Sequence, residues 1–205
     1  MQKILIFPFN GNGLEALDCI QGQFELIGFV DDVIEKQGKS EYGFEVFGRE
    51  AIDKYKEAKI LAVPGSPQNF LGRSTVIQSL KLEASRFATV IHPKASVSKL
   101  SKIGYNTLIM AGVVLTSNCV IGNHVCILPN SVIHHDTIIG DYTLVGSNTL
   151  IAGNVSVGEN CYIASGSNII NGIEIGSKSL VGLGSNVING LKANSKVVGN
   201  PAKQI

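Results

Sequence analysis

Residues 103–162 read IGYNTL IMAGVV LTSNCV IGNHVC ILPNSV IHHDTI IGDYTL VGSNTL IAGNVS VGENCY, ten six-residue units that each open on an aliphatic side chain. The register continues outward through Ile91 and Val97 on one side and Ile163, Ile169, Ile175, Val181 and Val187 on the other, seventeen positions without a slip. The second position is often glycine (Gly104, Gly122, Gly140, Gly146, Gly158, Gly176, Gly182). The fifth is small (Thr107, Cys119, Ser131, Thr137, Thr143, Thr149, Cys161, Ser167, Ser179, Ser185). A period of six fits neither an amphipathic helix nor a hairpin meander. It predicts a β-helix whose chain turns a corner after every unit, three units to a coil. The first-position aliphatics should stack inward, and the fifth position should face in where a large side chain would overfill a narrow interior. Glycines, and asparagines such as Asn130 and Asn160, should supply positive φ at the corners.

The first ninety residues have a different rhythm. Lys3–Phe7 is an apolar strand candidate, followed by the turn Pro8-Phe9-Asn10-Gly11-Asn12-Gly13 and a helix through about Ile20. A second strand, Phe24–Val30, ends in Asp31-Asp32. A helix near Arg49–Ala58, a strand Lys59–Val63, the turn Pro64-Gly65-Ser66-Pro67, a helix around Gly72–Leu82 and a last short strand near Ala88–Ile91 complete the pattern. Alternating strands and helices imply a small parallel, Rossmann-like sheet with its ligand edge at the strands' C-terminal ends. The expected organisation is an α/β domain over 1–88 and a β-helix domain over 89–205.

Bulk properties narrow the function. A net charge of +1 with 16% charged residues gives no reason to expect nucleic acid or an anionic membrane as main partner. The opening MQKILIF is too short to span a bilayer and lacks a cleavage region, so a cytoplasmic protein is expected. Cys19, Cys119, Cys126 and Cys161 form no C-x-x-C pair and read as buried, reduced thiols.

Two places carry candidate chemistry. The Gly-rich first turn can hold a phosphate on backbone N–H groups and a helix N-terminus, although it lacks both G-x-G-x-x-G and a Walker lysine. Asn10, Gly11 and Asn12 are its candidates, with Asp31 and Asp32 on the second turn and Pro64, Gly65 and Ser66 on the third. Ordinary turn chemistry is the competing reading for all of them. The other place is His134-His135-Asp136, which interrupts the repeat on its outer surface; a histidine beside a carboxylate is a plausible general base. His92 and His124 stand alone and read as structural. No metal is expected, because the four histidines are out of step with an eighteen-residue coil.

IFPFNGNG, GFVDD, ATVIHP, SVIHHDTIIGD and the closing VVGNPAK together resemble the PglD/NeuD-type bacterial sugar acyltransferases over essentially the whole chain. The resemblance implies a left-handed parallel β-helix in a homotrimer. It also implies a nucleotide-activated sugar on the N-terminal domain, and acetyl-CoA as co-substrate in the groove between neighbouring β-helices. It assigns the catalytic pair to His135 and Asp136, with His134 secondary. The CoA groove maps to Gly153, Ser165, Gly182, Leu183, Gly184, Gly199 and Lys203, and to Leu144, which stands where the family has a second histidine. Pro8, Asn12 and Ser147-Asn148 depart in the same way from the family's Gly, His and Pro-Gly. The implied activity is N-acetylation of a nucleotide-linked 4-amino-4,6-dideoxy sugar for surface glycans. O-acetylation of a sugar such as sialic acid, a non-catalytic trimeric scaffold and a metal-dependent hydratase remain as alternatives.

Overall fold

The computed structural model describes residues 1–205. The N-terminal sheet contains β1 (Gln2–Phe7), β2 (Phe24–Val30), β3 (Gly38–Lys39), β4 (Glu45–Phe47) and β5 (Lys59–Ala62) in the order β3-β4-β2-β1-β5. All neighbours are parallel except β3 and β4. β1 lies inside the sheet between β2 and β5, and Ile4–Phe7 are buried without alternation, as expected of a parallel strand covered on both faces. α1 (Gly11–Ile20), α2 (Glu50–Lys54) and α3 (Arg73–Gln78) connect the strands.

Three expectations shift. The stretch after Asp32 holds the β3–β4 hairpin, which extends the sheet by two strands; its very short strands give no alternation to read. The second helix stops at Lys54, and the third is a single α segment entered through a 3₁₀ turn at Phe70–Gly72. The short strand before the repeat is Val90–Ile91. It pairs with Leu108–Ile109 and so forms the first rung of the β-helix, not a strand of the α/β sheet.

From Val90 onward each unit contributes a two-residue strand, and these stack into three parallel sheets that form a triangular prism. One sheet, containing Leu108–Ile109, Cys126–Ile127, Leu144–Val145, Tyr162–Ile163 and Leu180–Val181, is the docking face. Its outward residues Leu108, Cys126 and Leu144 are buried in a core shared with Ile4, Ile6, Ala16, Leu61 and Ala88. The first-position aliphatics from Ile109 to Val187 form the prism's own core.

The other positions are also explained. Fourth-position residues carry φ of 52–62°, among them Asn106, Asn130, Asp136, Asn160 and Lys178, so the left-handed corner belongs to that position. The second-position glycines have a different cause from the one expected. A Cβ on Gly140 would lie 2.6 Å from the backbone nitrogen of Glu159, so these glycines permit close stacking of coils. The fifth position is more than small. Thr107, Ser131, Thr137, Thr143 and Ser167 donate their hydroxyls to carbonyls of the next coil, fifteen residues on. Cys119 and Cys161 make the same contact through Sγ, at 3.3 and 3.4 Å. These bonds satisfy polar groups inside the prism that burial would otherwise leave costly. After Val187 the coil shortens. Val187 stacks eighteen residues past Ile169, but Val197 stacks sixteen past Val181.

The seam between the sheet and the prism is polar at one edge. Asn106 accepts from the Ala62 amide at 2.7 Å and donates to the Ala62 carbonyl at 2.9 Å, pairing the edge of β5 as a strand would. Its amide nitrogen also lies 2.8 Å from His124 Nδ1. With its oxygen committed to Ala62, that nitrogen must donate, so Nδ1 is an unprotonated acceptor. Burial first, and then the Arg73 charge, lower the His124 pKa from 6.5 to about 4. Because the unfolded chain binds this proton more readily, stability is expected to fall as pH drops from about 6.5 toward about 4. Urea unfolding across that window should show a shallower pH slope in His124→Asn than in the wild type. Equal slopes would remove His124 as the cause.

Candidate functional site

A cavity of about 310 Å³ opens between the N-terminal turns and the docking face. Asn10, Gly11, Asn12, Gly65, Ser66 and Pro67 form one wall, and Leu128, Leu144, Val145, Gly146 and Tyr162 the other. Asn10 caps α1 by accepting from the Gly13 amide at 2.8 Å. The N–H groups of the first helical turn at Gly11 and Asn12 thus border the cavity, where an anionic group can meet them. No lining side chain carries a charge.

Five of the eight expected sugar-nucleotide contacts therefore meet around one cavity, together with Leu144, a residue expected in the CoA groove, but Asp31, Asp32 and Pro64 do not line it. The buried Asp31 carboxylate accepts from the Phe9 and Val33 amides and pairs with Lys36 at 3.0 Å, which ties the first turn to the second. Asp32 is held by two hydrogen bonds from Arg49, at 2.6 and 2.7 Å. The Pro64 carbonyl accepts from Arg73. All three act within the fold, and long-range partners of this kind leave no local sequence signal.

His134–Asp136 lie on the prism edge that joins the two faces other than the docking face, directly opposite the docking face. The side chains of His135 and Asp136 are 52% and 45% exposed, so the edge is open to an incoming group. His135 Nδ1 is 2.8 Å from Asp136 Oδ2, and Asn118 donates to Asp136 Oδ1 at 3.0 Å. These bonds, that from His135 first, hold the Asp136 carboxyl below the usual carboxylate range. An ionised carboxylate only accepts, so Nδ1 carries a proton, and in the neutral imidazole Nε2 is then the nitrogen with the lone pair. Asp136 occupies the left-handed corner at φ 59°, which aims its carboxylate back at the preceding ring.

The ring rests on Gly153 of the next coil. A Cβ there would lie 2.6 Å from both Cε1 and Nε2 of His135. Gly153→Ala should therefore push the exposed ring away from Asp136 with little effect on stability. If His135 is the base, activity should fall at least about tenfold, a small part of what such proton transfer is worth. A variant melting with the wild type and retaining full activity would show the ring is free to move.

Of the other expected contacts, Ser165, Gly182, Leu183 and Gly184 follow docking-face strands on a second edge, and Ser165 Oγ accepts from the Ser147 amide at 3.1 Å. Gly199 and Lys203 belong to the terminal hairpin. Leu144 lies beneath the third turn, where a Cβ on Gly65 (φ 126°) would come within 2.9 Å of it.

The bacterial transferase hexapeptide model matches three overlapping stretches, 100–135, 118–153 and 136–171. Among curated protein sequences none matches significantly. Solved structures do match along the whole chain. The acetyltransferase domain of PglB from Neisseria gonorrhoeae in complex with acetyl coenzyme A has a TM-score of 0.87 at 23% identity, covering 100% of this chain and 99% of that one. A mutant perosamine N-acetyltransferase from Caulobacter crescentus, in complex with CoA and GDP-perosamine, gives 0.84 at 23%, covering 100% and 97%. WeeI from Acinetobacter baumannii gives 0.84 at 24%, covering 100% of both chains. The chain thus carries transferase hexapeptide repeats and has the fold of these proteins, an N-terminal α/β unit followed by a left-handed parallel β-helix, whose hand departs from the usual crossover rule.

Proposed function

We propose that the protein is an acetyl-CoA-dependent N-acetyltransferase acting on the 4-amino group of a nucleotide-linked 4-amino-4,6-dideoxy sugar. The observation that carries this reading is His135 on an exposed edge, tied to Asp136 through Nδ1 so that Nε2 is the nitrogen left for proton transfer. The uncharged cavity lies on the opposite side of the same prism. Within one chain the two do not meet, so the base of one copy serves the cavity of another. Val120, Ile138 and Leu150 stand exposed on the two uncovered faces and give a neighbouring prism an apolar surface to pack on. A homotrimer of parallel prisms has this geometry.

In this site the first turn and the α1 N-terminus hold the nucleotide phosphates, and Leu128, Leu144 and Tyr162 face the deoxygenated side of the sugar. The 4-amino nitrogen attacks the thioester carbonyl. As the N–C bond forms, His135 Nε2 takes the proton from nitrogen, and Asp136 stabilises the resulting imidazolium. The C–S bond then breaks, and the thiolate leaves with that proton. The acetyl donor lies along the edges bearing Gly153, Ser165, Gly182–Gly184, Gly199 and Lys203. CoA, acetyl-CoA and GDP-perosamine in the structures of similar fold support the donor and the acceptor class. Acetyl-CoA and nucleotide sugars are cytoplasmic metabolites, and the reading places the enzyme there; no helix is long and apolar enough to cross a membrane.

The apolar wall of Leu128, Leu144 and Tyr162 suits a deoxygenated sugar better than the polyhydroxylated sialic acid, whose hydroxyls would lose hydrogen bonds to water there. Thiol release from acetyl-CoA should be measured with UDP-, dTDP- and GDP-linked 4-amino sugars beside sialic acid and its CMP derivative. Release with at least one amino sugar, and an N-acetyl product, is expected. Release only with sialic acid would establish the O-acetyl alternative, and none with any acceptor would favour the scaffold.

A further inference from the structure

Arg73, the first residue of α3, is 1% exposed, yet no carboxylate pairs with it. Burial lowers its pKa to about 10. A buried charge of this kind costs several kcal/mol unless its surroundings repay it, and an apolar side chain of the same length would avoid the cost. Its contacts suggest what it does instead. Nη1 donates to the carbonyl of Pro64, which opens the third turn, and Nη2 donates to the carbonyl of His124 at 2.6 Å. One acceptor therefore immediately precedes Gly65–Pro67, the part of the cavity wall that the third turn supplies. The other belongs to the prism coil that goes on to supply Leu128 of the facing wall. Arg73 itself does not line the cavity; its Cδ lies behind Gly65, 3.6 Å from where a Cβ would be.

We propose that Arg73 is a positioning residue that sets the separation of the cavity's two walls by bridging Pro64 and His124. The planar fork reaches two carbonyls at once, which a lysine ammonium on a shorter reach does not. Asn106 with Ala62, and Asn160 with the Leu71 carbonyl at 3.0 Å, bond the prism to the N-terminal unit on either side of the turn, whereas Arg73 reaches the turn itself. This role rests on the acceptor-binding reading of the cavity.

The test uses the full-length protein with Arg73→Met and Arg73→Lys. Arg73→Met removes the buried charge at similar volume, which offsets the two carbonyls left without a donor, so its melting temperature should stay near that of the wild type. In this variant exchange at Ser66 and Asn69, the hydrogen-bonded amides of the turn, should accelerate at least about tenfold, a loss of roughly 1.4 kcal/mol of local protection, while prism amides stay unchanged. With the amino-sugar acceptor that the thiol-release assay selects, KM for that acceptor should rise about tenfold, with KM for acetyl-CoA and kcat within about twofold. Arg73→Lys should fall between. Unchanged exchange at Ser66 and Asn69 would overturn the proposal whatever the protein acts on, since that readout needs no substrate. Equal losses in both KM values and kcat with a lower melting temperature would also overturn it, by showing general destabilisation.

Discussion

His135→Ala should lower turnover by about 10²–10⁴-fold, the range that a positioned proton-transfer group supplies, and leave the melting temperature within a degree or two of the wild type. The physical basis is the separation of chemistry from packing at this corner. Ile133 and Thr137 face inward and hold the coil, while the His135 ring is half exposed and lies against Asp136 and Gly153. Asp136→Asn should cost less, because an amide in the same corner can still accept from Nδ1 but no longer stabilises the imidazolium formed on proton transfer. Steady-state rates with acetyl-CoA and the preferred acceptor, beside thermal melts, check both. Turnover within threefold of wild type in His135→Ala would remove the residue from the chemistry.

The second large effect concerns stability. Gly140→Ala should destabilise the β-helix by about 3 kcal/mol or more, the upper end of overpacking costs, or roughly 6–12 °C in melting temperature for a chain of this size. Its Cβ would meet backbone atoms of Gly158 and Glu159 at 2.6 Å, and backbone between two hydrogen-bonded coils cannot swing aside as a side chain can. Gly166 is the control. It sits at a left-handed corner (φ 72°), but a Cβ there meets nothing nearer than 3.8 Å. Gly166→Ala should therefore cost only the corner strain of about 1–2 kcal/mol. Differential scanning calorimetry of the two variants should rank Gly140→Ala well below Gly166→Ala; the reverse order would mean the glycine columns exist for φ after all.

The same contrast shows what was legible in the sequence. A repeat is visible because every unit obeys the same packing constraint, so Ile103 to Val187 predict the prism and place His135 and Asp136 at an outer corner. The reason for the second-position glycines is not visible, since close approach between coils and positive φ both select glycine. Nor is the thiol of Cys119 or Cys161 recognisable as a stand-in for a serine hydroxyl until the carbonyl it reaches is seen. In the N-terminal unit the strands read correctly because β1 and β2 are apolar runs, but the β3–β4 hairpin is too short to show alternation. Asp31 and Asp32 look like ligand groups from their place after a strand. Lys36 and the Phe9 amide, and Arg49 from across the fold, claim them instead, and such pairings leave no trace in local composition. Arg73 and Asn106 escaped for the same reason, since their partners lie 51 and 44 residues away.

The central claim is that transfer happens between the cavity of one subunit and the His135 corner of another. It is tested most directly by mixing two inactive variants: His135→Ala, and a Gly65→Val variant whose side chain, forced against Leu144, blocks the cavity. After the subunits are unfolded and refolded together, mixed trimers should regain a substantial fraction of wild-type thiol release, because some interfaces then join an intact cavity to an intact His135. Refolding either variant alone, or the double variant with wild type as a dilution control, should give no such gain. Mixed assemblies that form but remain as inactive as the separate variants would contradict the account.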